Sequence, residues 1–326
     1  MELTELDRRV VAALQLDGRS SWQQVARLAG TTESTAARRG SRLLEDGTIR
    51  VVGVADPLVC DLGQPVLVQL ACTPGAVRTV LEVLEARADT RFLSLTTGTW
   101  DVVTEIVAPS RGMLVDALVD ELGAVPGVHR SSSAPITRTF TMRHDWSRRL
   151  LGSAAAAAAR PAPTEPLDGP SRVVLDETDR KLLGALAEDG RRGYRDLARH
   201  LTLGETGVRR RVERLTTARA LVFSTLVAPA SLGFHVELLA WLSVDLGRTD
   251  EIAQMLASRP EVRYVAAVAG AANLVCEVIL PDAADIHGFC TRTLGALPGV
   301  RSVDIGVELE NRKRAYRPFE LGDRPT

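Results

Sequence analysis

The sequence predicts an α+β protein in which one two-part unit is used twice, and three observations carry that prediction. The first is an internal repeat at a fixed offset of 179 − 7 = 172. Asp7-Arg8, Leu14, Asp17-Gly18-Arg19, Ala26-Arg27, Glu33, Arg38-Arg39 and Arg42-Leu43 recur without a gap as Asp179-Arg180, Leu186, Asp189-Gly190-Arg191, Ala198-Arg199, Glu205, Arg210-Arg211 and Arg214-Leu215. The same offset later carries Gly98, Pro109, Leu122-Gly123 and Pro126-Gly127-Val128 onto Gly270, Pro281, Leu294-Gly295 and Pro298-Gly299-Val300. A period this long marks a duplicated domain-sized unit rather than a solenoid repeat. The second observation is that each copy opens with three short helical patterns. The third is that each then alternates strand and helix patterns in the order βαββαβ.

In the first copy, Leu6, Val10, Val11 and Leu14 recur at helical spacing and stop at Asp17-Gly18. A second helix, Trp22 to Leu28, follows Ser20-Ser21, either of which can cap it. Gly30-Thr31-Thr32 forms a turn, Thr32 is the expected cap of a third helix from about Glu33 to Leu44, and Gly47 stops it. The second copy reads the same way: Asp179 to Leu186, Tyr194 to Leu201, the turn Thr202-Leu203-Gly204, then Glu205 to Leu215.

The third helix carries the functional signal. Ala36, Gly40 and Leu43 share one face, as do Val208, Val212 and Leu215, while Arg38, Arg39, Arg42, Arg209, Arg210, Arg211 and Arg214 point elsewhere. A helix with one apolar face and one guanidinium-rich face, packed on two others, suits insertion into a DNA major groove. Arginine suits the task because its planar fork reaches phosphate oxygens or guanine edges with paired hydrogen bonds. Ser34, Thr35 and Arg38 near the helix start are the expected base or nearby phosphate contacts, and Arg39 and Arg42 the expected phosphate grips. Thr206, Arg209, Arg210, Arg211 and Arg214 are their second-copy equivalents. A short strand follows each reader helix, Ile49 to Val54 and Leu221 to Val227, giving each unit a winged-helix-like outline.

The βαββαβ order is that of a ferredoxin-like sheet. In the first copy it runs Val66 to Ala71, Gly75 to Ala88, Phe92 to Thr97, Val102 to Val107, Met113 to Leu122, and a last strand from Val128. In the second it runs Val236 to Val244, Glu251 to Ala257, Val262 to Ala269, Leu274 to Leu280, Ile286 to Leu294 and Val300 to Leu309. The resulting division is a first helix-turn-helix domain at 1–55, a ferredoxin-like domain at 56–150, a linker at 151–172, a second helix-turn-helix domain at 173–227, and a second ferredoxin-like domain with a tail at 228–326. The linker joins six alanines, Ala154 to Ala159, to Pro161, Pro163, Pro166 and Pro170, so most of it is expected to be an extended tether. The Arg312-Lys313-Arg314 and Arg317 cluster reads as a solvated tail or as an extra DNA contact, and Trp146 reads as packing on a sheet.

Composition excludes other classes. Over 326 residues the chain is 45% hydrophobic and 25% charged, as an ordinary globular protein is. No apolar run nears the ~20 residues of a membrane helix. The N-terminus shows no secretion signal, and a cytoplasmic location is expected. Cys60, Cys72, Cys276 and Cys290 show no metal or redox spacing and read as buried free thiols. The net charge of −1 means that DNA binding must rest on local charge. No catalytic residue, metal ligand or cofactor is expected.

Together these segments resemble the Lrp/AsnC family of transcription regulators. The resemblance is carried by Leu6-Asp7-Arg8, Leu43-Leu44-Glu45-Asp46-Gly47-Thr48-Ile49-Arg50, Thr97-Gly98-Thr99-Trp100-Asp101 and Val125-Pro126-Gly127-Val128. It implies double-stranded DNA as partner, an amino-acid effector near the sensing-domain interface, an intramolecular pseudo-dimer, and further homo-oligomerisation through the sensing domains. The residues implied for the effector are Thr97, Gly98, Thr99, Trp100, Asp101, Gly270 and Asn273. Asp101 reads equally as a partner for a ligand's amino group and as a turn former.

The copies also differ. The second lacks the glycine of Gly47 and has Gly270-Ala271-Ala272-Asn273 in place of Gly98-Thr99-Trp100-Asp101. Gly40 costs the first reader helix about 1 kcal/mol against Ala. The second reader helix is therefore expected to be better packed and more basic, and the first copy to have the better sensing loop. Two other readings remain. Siroheme decarboxylases resemble the same fused architecture, although the stretches 96–106 and 268–278 hold no histidine here. A sensor or scaffold without DNA binding is the other.

Overall fold

The computed structural model describes residues 3–142, 144–152, 172–315 and 317–318. The proline-rich stretch and the end of the tail lie outside the described residues.

Each copy begins with three helices. They are α1 (Glu5–Leu16), α2 (Trp22–Ala29) and α3 (Glu33–Glu45), then α6 (Glu177–Glu188), α7 (Tyr194–Leu201) and α8 (Glu205–Thr217) in the second copy. Their starts follow from capping chemistry. Thr4 and Asp7 form a capping box on α1, Ser21 and Gln24 one on α2, and Asp176 and Asp179 one on α6. Thr32 caps α3, whereas α8 starts at Gly204 without a side-chain cap. The expected apolar faces are buried: Ala36, Gly40 and Leu43 in α3, and Val208, Val212 and Leu215 in α8.

After the reader helices come β1 (Ile49–Ala55) and β6 (Leu221–Val227). They pair with each other, antiparallel, from Ile49 opposite Val227 to Ala55 opposite Leu221. The two helical units are thus joined by a ribbon to which each contributes one strand. Each unit also packs on the other copy's connector. The first core includes Val227, Leu232 and Phe234, and the second includes Val59 and Cys60.

The remaining elements are β2 (Gln64–Cys72), α4 (Val77–Ala86), β3 (Thr90–Thr96), β4 (Val102–Ala108), α5 (Arg111–Val115) and β5 (Val128–Met142), then β7 (Val236–Val244), α9 (Thr249–Ala257), β8 (Val262–Val268), β9 (Leu274–Leu280), α10 (Ala284–Gly288) and β10 (Val300–Arg314). The expected helices at Met113–Leu122 and Ile286–Leu294 are each half α-helix and half wider π turns, Asp116–Glu121 and Phe289–Leu294. A two-residue strand, Arg317–Pro318, adds to β10.

The eight long strands hydrogen-bond in a ring: β10, β3, β4, β2, β5, β8, β9, β7 and back to β10. The closure comes from the length of β5 and β10. The first part of β5 pairs with β2 and its second part with β8; β10 divides itself between β7 and β3. The copies therefore pair within one chain, and their sheet edges cover one another, which removes templates for aggregation.

Alternation along the strands then sets two cores. Val66, Val68, Leu70 and Cys72 face α4, while Leu67 lies with Val103, Leu239, Trp241 and Tyr264 between the two sheets. The Arg312-Lys313-Arg314 cluster is a correction to the sequence reading. These residues are neither a solvated tail nor a DNA contact, because β10 continues to Arg314. Lys313 Nζ donates to the Glu85 and Arg87 carbonyls at 2.9 and 2.6 Å, and Arg314 pairs with Glu237 and Glu277, both at 2.8 Å. Trp146 meets Phe234 edge-on at 5.4 Å in the first helical core, together with Ile279 of the sheet.

Candidate nucleic-acid interface and effector site

The reader helices are fixed to their own units by buried carboxylates. Asp7, 2% exposed, accepts from Arg39 Nη1 at 2.9 Å and lies 3.4 Å from Arg42 Nη2. Burial alone pushes its pKa up, but hydrogen bonds from Thr4 and from Arg39 outweigh that and hold it below the usual carboxylate range. In the second copy Asp179 accepts from Arg211 at 2.8 Å and from Arg214, while Arg211 also reaches Asp176 at 2.7 Å. Four of the arginines expected to grip phosphate are thus engaged within their own unit. The signal was present in the sequence, since Asp7 and Asp179 recur at the same offset as the arginines they hold.

Arg38 and Arg210 differ from these. Both are exposed, and neither has an ion-pair partner among the described residues. Ser34 and Thr206 are exposed as well. Ser34 and Thr35 surround the Thr32 hydroxyl, at 3.3 and 2.9 Å. Arg209 stacks over the Tyr194 ring at 4.6 Å and lies 3.8 Å from Glu205. The uncommitted basic groups therefore sit on the outer faces of the two helices.

Gly40 has a specific use. A Cβ there would lie 2.3 Å from Trp22 Cζ3, so the indole of Trp22 occupies the space the glycine leaves. Trp22 of α2 thus supplies the packing that Gly40 lacks, so the missing side chain leaves no void in α3. Chain reversal shows a second difference. Gly30 and Gly47 are left-handed, at φ +67° and +73°, and their second-copy counterparts Thr202 and Arg219 adopt the same conformation at 55° and 57°.

The repeated Asp-Gly-Arg links the units. Asp17 and Asp189 accept from the backbone N–H of Arg19 and Arg191 at 2.9 and 2.8 Å. A Cβ at Gly190 would meet the Val52 backbone at 2.9 Å, so glycine lets the loop reach the ribbon, where the Gly190 N–H donates to the Val51 carbonyl at 2.8 Å. Arg19 then donates to the Gly190 carbonyl at 2.6 Å and to the Arg192 carbonyl, and Arg191 to the Gly18 and Ser20 carbonyls at 2.6 and 3.1 Å. Arg19 stacks over Tyr194 and Arg191 over Trp22, at 4.6 and 4.7 Å.

The hairpin residues expected to hold an effector are packed against the opposite copy. The Thr97 N–H donates to the Val307 carbonyl at 2.9 Å, and its hydroxyl accepts from the Val307 N–H at 3.0 Å. Thr99 reaches Asp304 at 3.2 Å, and Gly98, at φ +95°, passes Ile305 closely. Trp100 Nε1 donates to Gln69 at 3.2 Å, and its ring carries Arg130 at 4.3 Å. Asp101 accepts from the Cys72 N–H at 2.7 Å. Asn273 does the same for Val244 at 2.8 Å and adds a bond to the Val244 carbonyl. The two residues close the ends of β2 and β7 in the same way, which favours the turn-forming reading of Asp101. Gly270 lies against Ala134. The space left here is about 10 Å³, room for one water.

The carboxylates of Glu237, Glu277 and Glu308 lie within 4.8 Å of one another. Arg263 and Arg314 already sit among them, so the arrangement is an ion network. Burial and neighbouring Glu277 push the pKa of Glu308 up well above the usual carboxylate range. His144, singled out by no sequence motif, is buried and bonds Ser224 at 2.9 Å, and burial beside Arg263 and Arg91 lowers its pKa to about 4.

Two helix-turn-helix units with exposed basic reader faces, mounted on one closed strand ring, define a DNA-binding transcription regulator. Residues 3–44 and 175–216 match the AsnC-type helix-turn-helix domain, and residues 237–318 match the Lrp/AsnC ligand binding domain. An uncharacterised HTH-type transcriptional regulator of Pyrococcus horikoshii is 30% identical over 148 residues, which is 44% of this chain and 92% of that protein. The Bkd operon transcriptional regulator of Pseudomonas aeruginosa is 29% identical over 141 residues, 42% of this chain and 92% of that protein. The chain belongs to the Lrp/AsnC family, with the DNA-binding unit present twice. Its whole length shares a fold with the siroheme decarboxylase NirDL, at a TM-score of 0.60 and 12% identity, covering 95% of this chain and 93% of that one. No helix among the described residues is long and apolar enough to cross a membrane.

Proposed function

We propose that the protein is a cytoplasmic, sequence-specific regulator that reads two imperfectly symmetric half-sites with α3 and α8. Its working parts are the helix-turn-helix domains at 1–55 and 173–227 and the ferredoxin-like domains at 56–150 and 228–326. Ser34, Thr35, Arg38, Thr206, Arg209 and Arg210 contact DNA directly. Arg39, Arg42, Arg211 and Arg214 orient the helices through Asp7 and Asp179 and meet phosphate at their edges. The observation that carries this reading is the exposure of Arg38 and Arg210 on helices otherwise clamped in place. A small molecule, such as an amino acid, modulates binding by changing how the halves pair, and further chains assemble through the sensing domains. Operator binding measured against salt tests the reading. Affinity falls steeply when several phosphates are neutralised, and a flat response favours a scaffold that does not bind DNA.

The full-length fold similarity to NirDL supports a second reading, a siroheme-decarboxylase-like enzyme. The lack of histidine in 96–106 and 268–278 argues against it. Haem-like absorbance that persists after incubation with the tetrapyrrole and desalting would favour it.

A further inference from the structure

The packed hairpin leaves an effector little room, but a large cavity lies elsewhere. It occupies about 760 Å³ between the helical units, the β1–β6 ribbon and the strand ring, a volume typical of small-molecule sites. A second cavity of about 120 Å³ adjoins it, sharing Val54, Arg91, Met142 and His144. We propose that this space is a binding site for an aromatic carboxylate, held against Phe223 with its charge toward Arg209. The proposal rests on the regulator reading for its consequence, not for its chemistry.

Three features support it. Aromatic and thioether walls (Phe223, Tyr194, Met142) favour a flat ring. At the mouth, Tyr194 lies between the guanidiniums of Arg19 and Arg209, each 4.6 Å from its centroid. Arg19 is committed to backbone carbonyls, whereas Arg209, 61% exposed and 3.8 Å from Glu205, has donors to turn to a carboxylate. At the inner end the Tyr264 hydroxyl meets the Thr139 side chain, and this hydroxyl pair offers a polar group on the ligand a partner.

The repeat shows that the two sides are lined differently. At the corresponding positions of the other half, Trp22 replaces Tyr194 and covers Gly40, and Arg312 and Arg314 replace Phe140 and Met142. Among the described residues that side presents an indole and an ion network instead. The open side is walled by α8, through Arg209, Val212 and Thr216, so the occupied cavity and the DNA groove share one helix.

Calorimetry of the full chain with 1-naphthoate, and with its methyl ester, tests the proposal. The expected result is one site per chain, with affinity lowered about tenfold for the ester and for Arg209→Gln. Thr139→Trp, which fills the cavity from β5, is expected to abolish binding while the circular dichroism spectrum stays native. Saturating naphthoate is expected to change operator affinity about threefold or more in the parent and not in Thr139→Trp. Undetectable binding by the parent, or equal binding by a folded Thr139→Trp, overturns the site. Should Thr139→Trp not fold, equal affinity for acid and ester in the parent and Arg209→Gln overturns it instead. Naphthoate binding without DNA binding leaves the site standing and removes the regulator reading; DNA binding without naphthoate does the reverse.

Discussion

Arg19 and Arg191 exchange hydrogen bonds across the two helical units: each guanidinium donates at 2.6 Å to the carbonyl of the glycine preceding the other, Gly190 and Gly18. The exchange, with the shared ribbon, fixes how far apart α3 and α8 stand. Replacing either arginine by alanine removes charge-assisted bonds worth about 1.5–3 kcal/mol. Operator affinity is expected to fall about tenfold with an unchanged salt slope, because no phosphate contact is lost. A slope lowered by about one would show that these arginines touch DNA instead.

The clamp at Asp7 predicts a pH effect. Its folded pKa is depressed, so the stability it contributes is present above the unfolded value near 4 and is lost as pH falls through the folded value. Asp7→Asn is expected to lose about 1.5–3 kcal/mol at pH 7. It should also show a shallower loss of stability on acidification below pH ~4 than the parent. Equal acid slopes in urea denaturation would contradict this.

Two glycines in helices should respond oppositely to alanine. Gly184 has nothing within 4 Å of an added Cβ, so Gly184→Ala should stabilise by about 0.5–1 kcal/mol. Gly40→Ala drives a methyl group into Trp22 and should destabilise by about 1–3 kcal/mol despite the better helix propensity. Thermal melts of the two variants decide the matter, and a shared sign contradicts the Trp22 contact.

Glu308 predicts the reverse pH dependence to Asp7. Its folded pKa is raised by burial and by Glu277, so its contribution is full below the unfolded value near 4.3 and declines as pH rises toward the folded value. Glu308→Gln is expected to be at least as stable as the parent at pH 8 and to lose that decline. Marked destabilisation at pH 8 would mean that the carboxylate is ionised and paired.

Much of this architecture is legible in residue periodicity. The repeat offset, the buried face of each reader helix and the strand and helix order all follow from local spacing. The ring closure is not legible, because it depends on β5 and β10 being long enough to serve two neighbours. Nor does spacing distinguish Arg38 from Arg39. One faces solvent and the other bonds a carboxylate 32 residues away on α1. The Arg312-Lys313-Arg314 cluster misleads for a similar reason: Arg314 meets Glu237 and Glu277 on other strands, Arg312 lies near Glu85 on α4, and the acceptors of Lys313 are carbonyls of the first copy. His144 and Tyr264 reach the cavity through tertiary structure alone.

The central claim is that both reader helices engage DNA while Arg39 and Arg211 act mainly as clamps. Operator binding across a salt series, for the parent, Arg38→Ala and Arg210→Ala, tests it most directly. A steep parent slope is expected, reduced by about one unit in each variant, with unequal affinity losses because the two reader helices differ in sequence. A parent slope near zero, or variants indistinguishable from the parent, would contradict it.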